Sequence, residues 1–241
     1  MEIYFLPALF IIAFLYSSIG HGGASGYLAI MAIYGIDTIY MKSSALTLNL
    51  FVSAIAFYQF YRGGYFKWRI ILPFIITSVP FAFLGARIGI DPTTYKIILG
   101  FFLLIATFRI LSYKMQQIVH TKEVPYAAGL LTGSLLGFFS GLIGIGGGII
   151  LSPVLVMMHW ANMKEAAAVS ALFIFVNSAA GLTGVYFSGA RLTPGFLLWV
   201  LIAFTGGLLG AYLGSRKFSH GILRYVLSCI LILASVKLFL F

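Results

Sequence analysis

The chain has 241 residues, of which 61% are hydrophobic, 17% aromatic and only 8% charged, with a mean hydropathy of +1.07. A soluble chain carries roughly 25% charged residues; with so few polar groups this one cannot cover a water-facing surface, which specifies a polytopic, all-α integral membrane protein. The 15 Lys and Arg against 5 Asp and Glu give a formal charge of +10, but they fall in short gaps between apolar runs, where they orient a chain at a membrane face and do not form a nucleic-acid surface.

In chain order the apolar runs give eight segments. The first covers about 3–36 and is interrupted by the glycines of Gly20–Gly26. Its opening, MEIYFLPALF, contains Glu2 and no Lys or Arg, so it lacks the basic n-region of a cleaved signal and reads as retained. The second runs about 43–61 and closes at Arg62-Gly63-Gly64; the third, about 70–90, ends near Asp91-Pro92. The fourth, about 94–111, precedes the one distinctly polar stretch, 112–124. The fifth spans about 125–160 and is broken by Gly144–Gly148; the others are about 166–187, 195–214 and 222–241. The single cysteine, Cys229, lies in the last run and excludes an internal disulfide or a thiolate metal site.

A straight helix over 125–160 would extend roughly 54 Å, far beyond a hydrocarbon core of about 30 Å. The run at 3–36 has the same problem. Both carry glycines near their middle, where the backbone breaks most easily, so both are expected to be discontinuous.

The two halves also repeat. SIGHGGASG at 18–26 corresponds to LIGIGGGII at 142–150, which pairs Gly20, Gly22 and Gly23 with Gly144, Gly146 and Gly147. LGARIG at 84–89 corresponds to LGAYLG at 209–214. The expected organisation is a first repeat at 1–111, a linker at 112–124 and a second repeat at 125–241. If every segment crosses the membrane, the basic residues divide almost evenly. If the first and fifth are re-entrant hairpins, Arg62, Lys67, Arg69, Arg109, Lys114, Lys122, Lys164, Arg216, Lys217 and Arg224 share one side. Only Lys42, Arg87, Lys96, Arg191 and Lys237 then remain opposite. The biased arrangement suits the positive-inside rule and makes the repeats inverted.

The glycine clusters are the first candidates for function. GIGGG at 144–148 has a passing likeness to a nucleotide loop, but no strand or soluble helix surrounds it. Two readings stay open: close helix packing through small residues, or broken helices whose new N-termini hold an anion. For the second, the expected substrate-binding residues are Gly20, His21, Gly22, Gly23, Ser25 and Asn49 from the first half. Gly144, Gly146, Gly147, Gly148, Ser152, Pro153 and Asn177 are expected from the second. Gly129, in the same run but away from the break, is expected to need only ordinary helix geometry.

Asp37, Asp91, Glu123 and Glu165 sit at or beyond segment ends and Glu2 is terminal, so no acid occupies the middle of a span. That disfavours a cation pump or a carboxylate proton relay. His21, the one histidine inside an apolar run, can ligate an anion, shuttle a proton or simply bond a freed carbonyl. His120, His159 and His220 form no metal-spaced cluster; Lys237 reads as snorkelling to headgroups, and Arg87 either snorkels likewise or supplies positive potential along an anion path.

GLIGIGGGIILSPVL at 141–155, its partner GHGGASGYLAI at 20–30 and the repeated LGAxxG resemble the TauE/SafE sulfite exporter family across essentially the whole chain. The resemblance implies a membrane carrier for sulfite or organosulfonates. The match is fuller at Gly144, Gly146, Gly147, Gly148 and Pro153; in the first half Ala24 replaces a third glycine and Ala29 replaces the proline.

The expected function is therefore a secondary transporter of small anions in the cell membrane (the inner membrane in a Gram-negative bacterium). The competing classes are an anion channel and a non-transporting accessory or scaffold protein. No HExxH, GxSxG or paired acids suggest an enzyme, and no cofactor is implied. The expected partners are a small anion and the bilayer, with the coupling ion and a homo-oligomer left open.

Overall fold

In a computed structural model, residues 2–112, 121–189, 192 and 195–216 are described, with 232, 235, 236, 238 and 239 near the C-terminus. The described helices are α1 (Glu2–Ser18), α2 (Ala24–Ile33), α3 (Thr38–Arg62), α4 (Trp68–Arg87) and α5 (Pro92–Ser112). They continue with α6 (Tyr126–Ile143), α7 (Gly148–Met157), α8 (Met163–Phe187) and α9 (Phe196–Arg216). Five of them, α3, α4, α6, α8 and α9, are long and apolar enough to cross a membrane. Most of the expected segment at 222–241, and linker positions 113–120, lie outside the described residues. So do Lys114, His120, Arg191, Lys217, His220, Arg224, Cys229 and Lys237.

Polar residues at the helix ends explain where several helices start. The Asp37 carboxylate accepts from Ile39 N at 3.2 Å and caps α3. Asn162 and Glu165 form a reciprocal capping box at α8, with Lys164 N and Glu165 N donating to Asn162 Oδ1 and Asn162 N donating to Glu165 Oε2. Asp91 accepts from Thr94 N at 2.9 Å, and its hydrogen bonds with Thr94, side chain first, hold its carboxyl below the usual range.

Small residues let the backbones approach. Along α6, Gly133, Gly137 and Gly141 recur every fourth residue and lie against the Phe74, Ser78 and Ala82 carbonyls of α4. Along α9, Gly206, Gly210 and Gly214 do the same against Phe10, Phe14 and Ser18 of α1. In both pairs the register rises together, so α4 runs parallel to α6 and α1 parallel to α9. Such stripes replace the hydrophobic drive that lipid removes. Gly129 belongs to the α6 stripe: an added Cβ would stand 2.6 Å from Pro73 Cβ. Its expected need for ordinary helix geometry alone is therefore corrected, because the site has no room for a methyl group.

Helices α3 and α8 run antiparallel, with Leu46 facing Gly181, Asn49 meeting Ser178, and Phe60 beside Ala167 and Ala168. Both glycine-broken runs fold back on themselves. The Phe5 and Tyr34 rings meet at 5.4 Å and the Tyr16 and Ser25 hydroxyls at 2.7 Å, so α2 returns along α1. Lys122 N donates to His159 O at 2.7 Å, joining the entrance of α6 to the exit of α7. Large apolar side chains such as Ile76, Leu131 and Leu197 remain exposed on the outside, as a lipid-facing surface requires.

Candidate functional site

The two breaks are built from glycine because the chain enters the left-handed region repeatedly. Gly20 and Gly23 have φ of 78° and 98°; Gly144, Gly146 and Gly147 have 90°, 78° and 74°. A Cβ at such positions collides with the following carbonyl. Gly23 and Gly147 are the N-caps of α2 and α7, so each half-helix starts from a residue with no side chain of its own to cap it. Gly22, by contrast, does not adopt positive φ; its hydrogen is needed for space, since a Cβ there would overlap the Asn49 amide.

Asn49 ties the two breaks together. It is fully buried near the middle of α3. Its Oδ1 accepts from Ala24 N at 3.1 Å, in the first turn of α2. Its Nδ2 donates to Ser178 Oγ at 3.1 Å and to Ile145 O at 3.4 Å, inside the second break. Gly146 faces the same amide group, and Ile174 fills the space between Gly22, Gly146 and Gly148.

His21 forms a second bridge. Its Nδ1 lies 3.0 Å from Ile19 O and its Nε2 lies 3.2 Å from both Gly148 O and Ser152 Oγ. Ser152 in turn donates to Ser170 Oγ at 2.7 Å. Ser170 and Ser178, on α8, thus belong to the cluster.

Other expected residues stand apart. Ser25 bonds Tyr16. Pro153 is buried within α7, and Gly144 packs on Lys42, whose ammonium donates to Ala86 O at 2.9 Å. Asn177 turns to α4, donating to Ser78 Oγ at 3.1 Å and to Phe173 O at 2.8 Å. It is not brought to the breaks.

Buried hydroxyls without a hydrogen-bond partner lie beside both half-helix starts. The Tyr27 hydroxyl would sit 2.8 Å from a Cβ at Gly23, and Ser140 Cβ 3.4 Å from one at Gly147. The one buried carboxylate among the described residues, Glu165, is at the start of α8 and pairs with Lys67. No group of three or more His, Cys, Asp and Glu among the described residues has the arrangement of a metal site.

A lipid-faced helical bundle whose interior holds two opposed half-helix starts has the construction of a membrane transporter. The profile of the Sulfite exporter TauE/SafE family matches residues 5–238, and the chain belongs to that family, whose members are transporters and not enzymes. The chain is 39% identical over 200 residues to the "Probable membrane transporter protein y4hK" of Sinorhizobium fredii, covering 81% of each chain. It is 28% identical over 191 residues to the "Probable membrane transporter protein MJ0441" of Methanocaldococcus jannaschii, covering 73% of this chain and 71% of the other. It is also 24% identical over 203 residues to the "Probable membrane transporter protein YunE" of Bacillus subtilis, covering 72% and 74%. No solved structure matches. The protein is a multi-pass transporter, in keeping with a place in the cell membrane.

Proposed function

We propose that the chain is a secondary carrier of small sulfur-containing anions, sulfite or organosulfonates, bound where the two glycine breaks meet. The observation that carries this reading is that the single side chain of Asn49 joins the first turn of α2, at Ala24 N, to the break just before α7, at Ile145 O. Each start presents the positive end of its helix dipole. No carboxylate among the described residues lies mid-span to favour a cation instead. In this reading Gly20, Gly22, Gly23, Gly146, Gly147 and Gly148 would shape the site, and Asn49, His21 and Ser152 would supply its polar side chains. Counterflow in liposomes tests it. Purified protein is expected to exchange labelled sulfite and methanesulfonate and to leave sodium and amines behind. Movement of sodium or an amine without the anions would sink the reading, and conduction without counterflow would mean a channel.

The carrier is further proposed to consist of two inverted repeats, 1–111 and 125–241, joined by the linker at 112–124, each opening with a re-entrant hairpin. Support comes from equivalent contacts: Gly85 lies on the Phe138 carbonyl as Gly210 lies on that of Phe14. The antiparallel α3 and α8 and the contact of Lys164 Nζ with Tyr65 OH at 2.9 Å agree with it. The last puts Lys164 on the same side as the loop at 62–69, where the ten-to-five charge division needs it. Cysteines at 66 and 190 are expected to label from opposite sides, with 66 cytoplasmic, and those at 118 and 162 from the same side. Opposite labelling of 118 and 162 would mean a full crossing and parallel repeats.

A further inference from the structure

We infer that the Tyr27 hydroxyl donates a hydrogen bond to an oxygen of the transported anion at the start of α2; this rests on the anion-carrier reading above. Tyr27 is fully buried, and its hydroxyl has no hydrogen-bond partner. Buried polar groups are nearly always paired, so an unpaired one calls for a ligand or another physical reason. Helical side chains lean toward the N-terminus of their helix. Tyr27 N closes the first turn of α2 on Gly23 O at 2.9 Å, so its ring is carried back over the helix start. Both its Cζ and its hydroxyl stand 2.8 Å from the point that a Cβ of Gly23 would occupy.

The helix end that this hydroxyl reaches is rich in donors. Its N-cap is Gly23, which has no side chain to receive a backbone N–H. Ala24 N is taken by Asn49 Oδ1 at 3.1 Å. The N–H groups of Ser25 and Gly26 come next, ahead of the bond from Tyr27 N to Gly23 O, in the turn where a helix cannot pair its own donors. With the positive end of the helix dipole, they suit a negatively charged oxygen. A phenol adds an O–H there without adding charge, and its bond to an oxyanion is of the strong, charge-assisted kind. The ligand so selected is an anion with an accessible oxygen, as sulfite and sulfonates have.

The other unpaired buried side-chain atoms among the described residues make no such demand. Ser17 and Ser140 lie within α1 and α6, where a turn about χ1 lets a serine hydroxyl donate to the carbonyl four residues back. Asn177 Oδ1 belongs to an amide that already donates twice, to Ser78 Oγ and Phe173 O. The Tyr27 hydroxyl has no such recourse, because a rigid ring holds it away from its own backbone. The neighbouring phenol, Tyr16, is already bonded to Ser25 at 2.7 Å.

Tyr27→Phe tests this, since it removes the hydroxyl and keeps the ring. Binding of labelled methanesulfonate and the melting temperature, with and without the anion, are measured on the purified full chain. Deleting a bond that the protein makes for itself lowers stability, whereas deleting an unpaired buried hydroxyl does not. The expected result is a ligand-free melting temperature no lower than that of wild type, with affinity reduced about tenfold. The stabilisation that the anion confers should shrink in step. Wild-type affinity in Tyr27→Phe overturns the inference and leaves the anion-carrier reading intact. So does a ligand-free melting temperature that falls together with the affinity, because the hydroxyl then bonds a group of the protein. Absence of methanesulfonate and sulfite binding in wild type removes both. Should Tyr27→Phe yield no folded protein, Tyr27→3-fluorotyrosine, which retains the hydroxyl, decides by fluorine NMR. A saturable shift of its resonance on adding methanesulfonate supports the inference, and an unmoved resonance overturns it.

Discussion

Replacing Asn49 with leucine is expected to abolish transport and to loosen the fold. The substitution strips Ala24 N of its acceptor and Ile145 O of its donor, both deep in an apolar interior. An unsatisfied buried group costs about 1–3 kcal/mol, so the pair costs a few kcal/mol. At roughly 2–4 °C per kcal/mol for a chain of this size, the melting temperature should fall by about 5 °C or more. Asn49→Asp separates structure from binding. It keeps an acceptor for Ala24 N but loses the donor and places negative charge where the anion is proposed to sit. Its transport should fall by at least tenfold, more than its stability would account for. Flux and melting temperature measured on both purified variants check this. Wild-type behaviour of Asn49→Leu in both assays would show that Asn49 neither joins the breaks nor serves the substrate.

The sequence made the breaks legible because their physical signs are local: apolar runs too long for a bilayer, with glycines in the middle. The lack of mid-span acids was equally readable. What joins the breaks was not. Asn49 and Asn177 look alike as amides in apolar helices, yet one reaches both breaks and the other turns to Ser78. The difference is a matter of which helix face points inward, and a helix apolar on nearly every side gives no periodic signal to say so. The link from His21 through Ser152 to Ser170 spans partners far apart in the chain, so only the packing of α7 and α8 creates it. The α6 stripe of glycines at every fourth position was visible in the sequence. It was overshadowed by the denser cluster at 144–148, which is why Gly129 was misjudged.

Glycine therefore has two physical roles here, and one comparison separates them. Gly147 has φ of 74°, and a Cβ there would stand 2.9 Å from Phe173 Cε1 and 3.4 Å from Leu136 O. Valine adds left-handed strain of about 1–3 kcal/mol, and more for its β-branch, together with bulk at the start of α7. Gly147→Val is expected to lose nearly all transport while still inserting, because the strain is confined to one break. Gly137→Val strikes the other role: its side chain would enter the Ser78 backbone of α4, separate two helices and lower membrane abundance. Gly89→Ala is the suitable control, since its added methyl meets nothing within 4 Å and its φ is not left-handed. It should match wild type in abundance, melting temperature and flux. Substrate affinity and thermal stability, measured on the purified variants that survive, then discriminate. If Gly147→Val loses abundance as Gly137→Val does, in step with its activity, the glycines of the break serve packing alone. If it remains folded with unchanged affinity, Gly147 leaves the proposed site. Loss of affinity in a protein that still melts cooperatively within a few degrees of wild type is the result the proposed site requires, because only the backbone proposed to face the anion has then been disturbed.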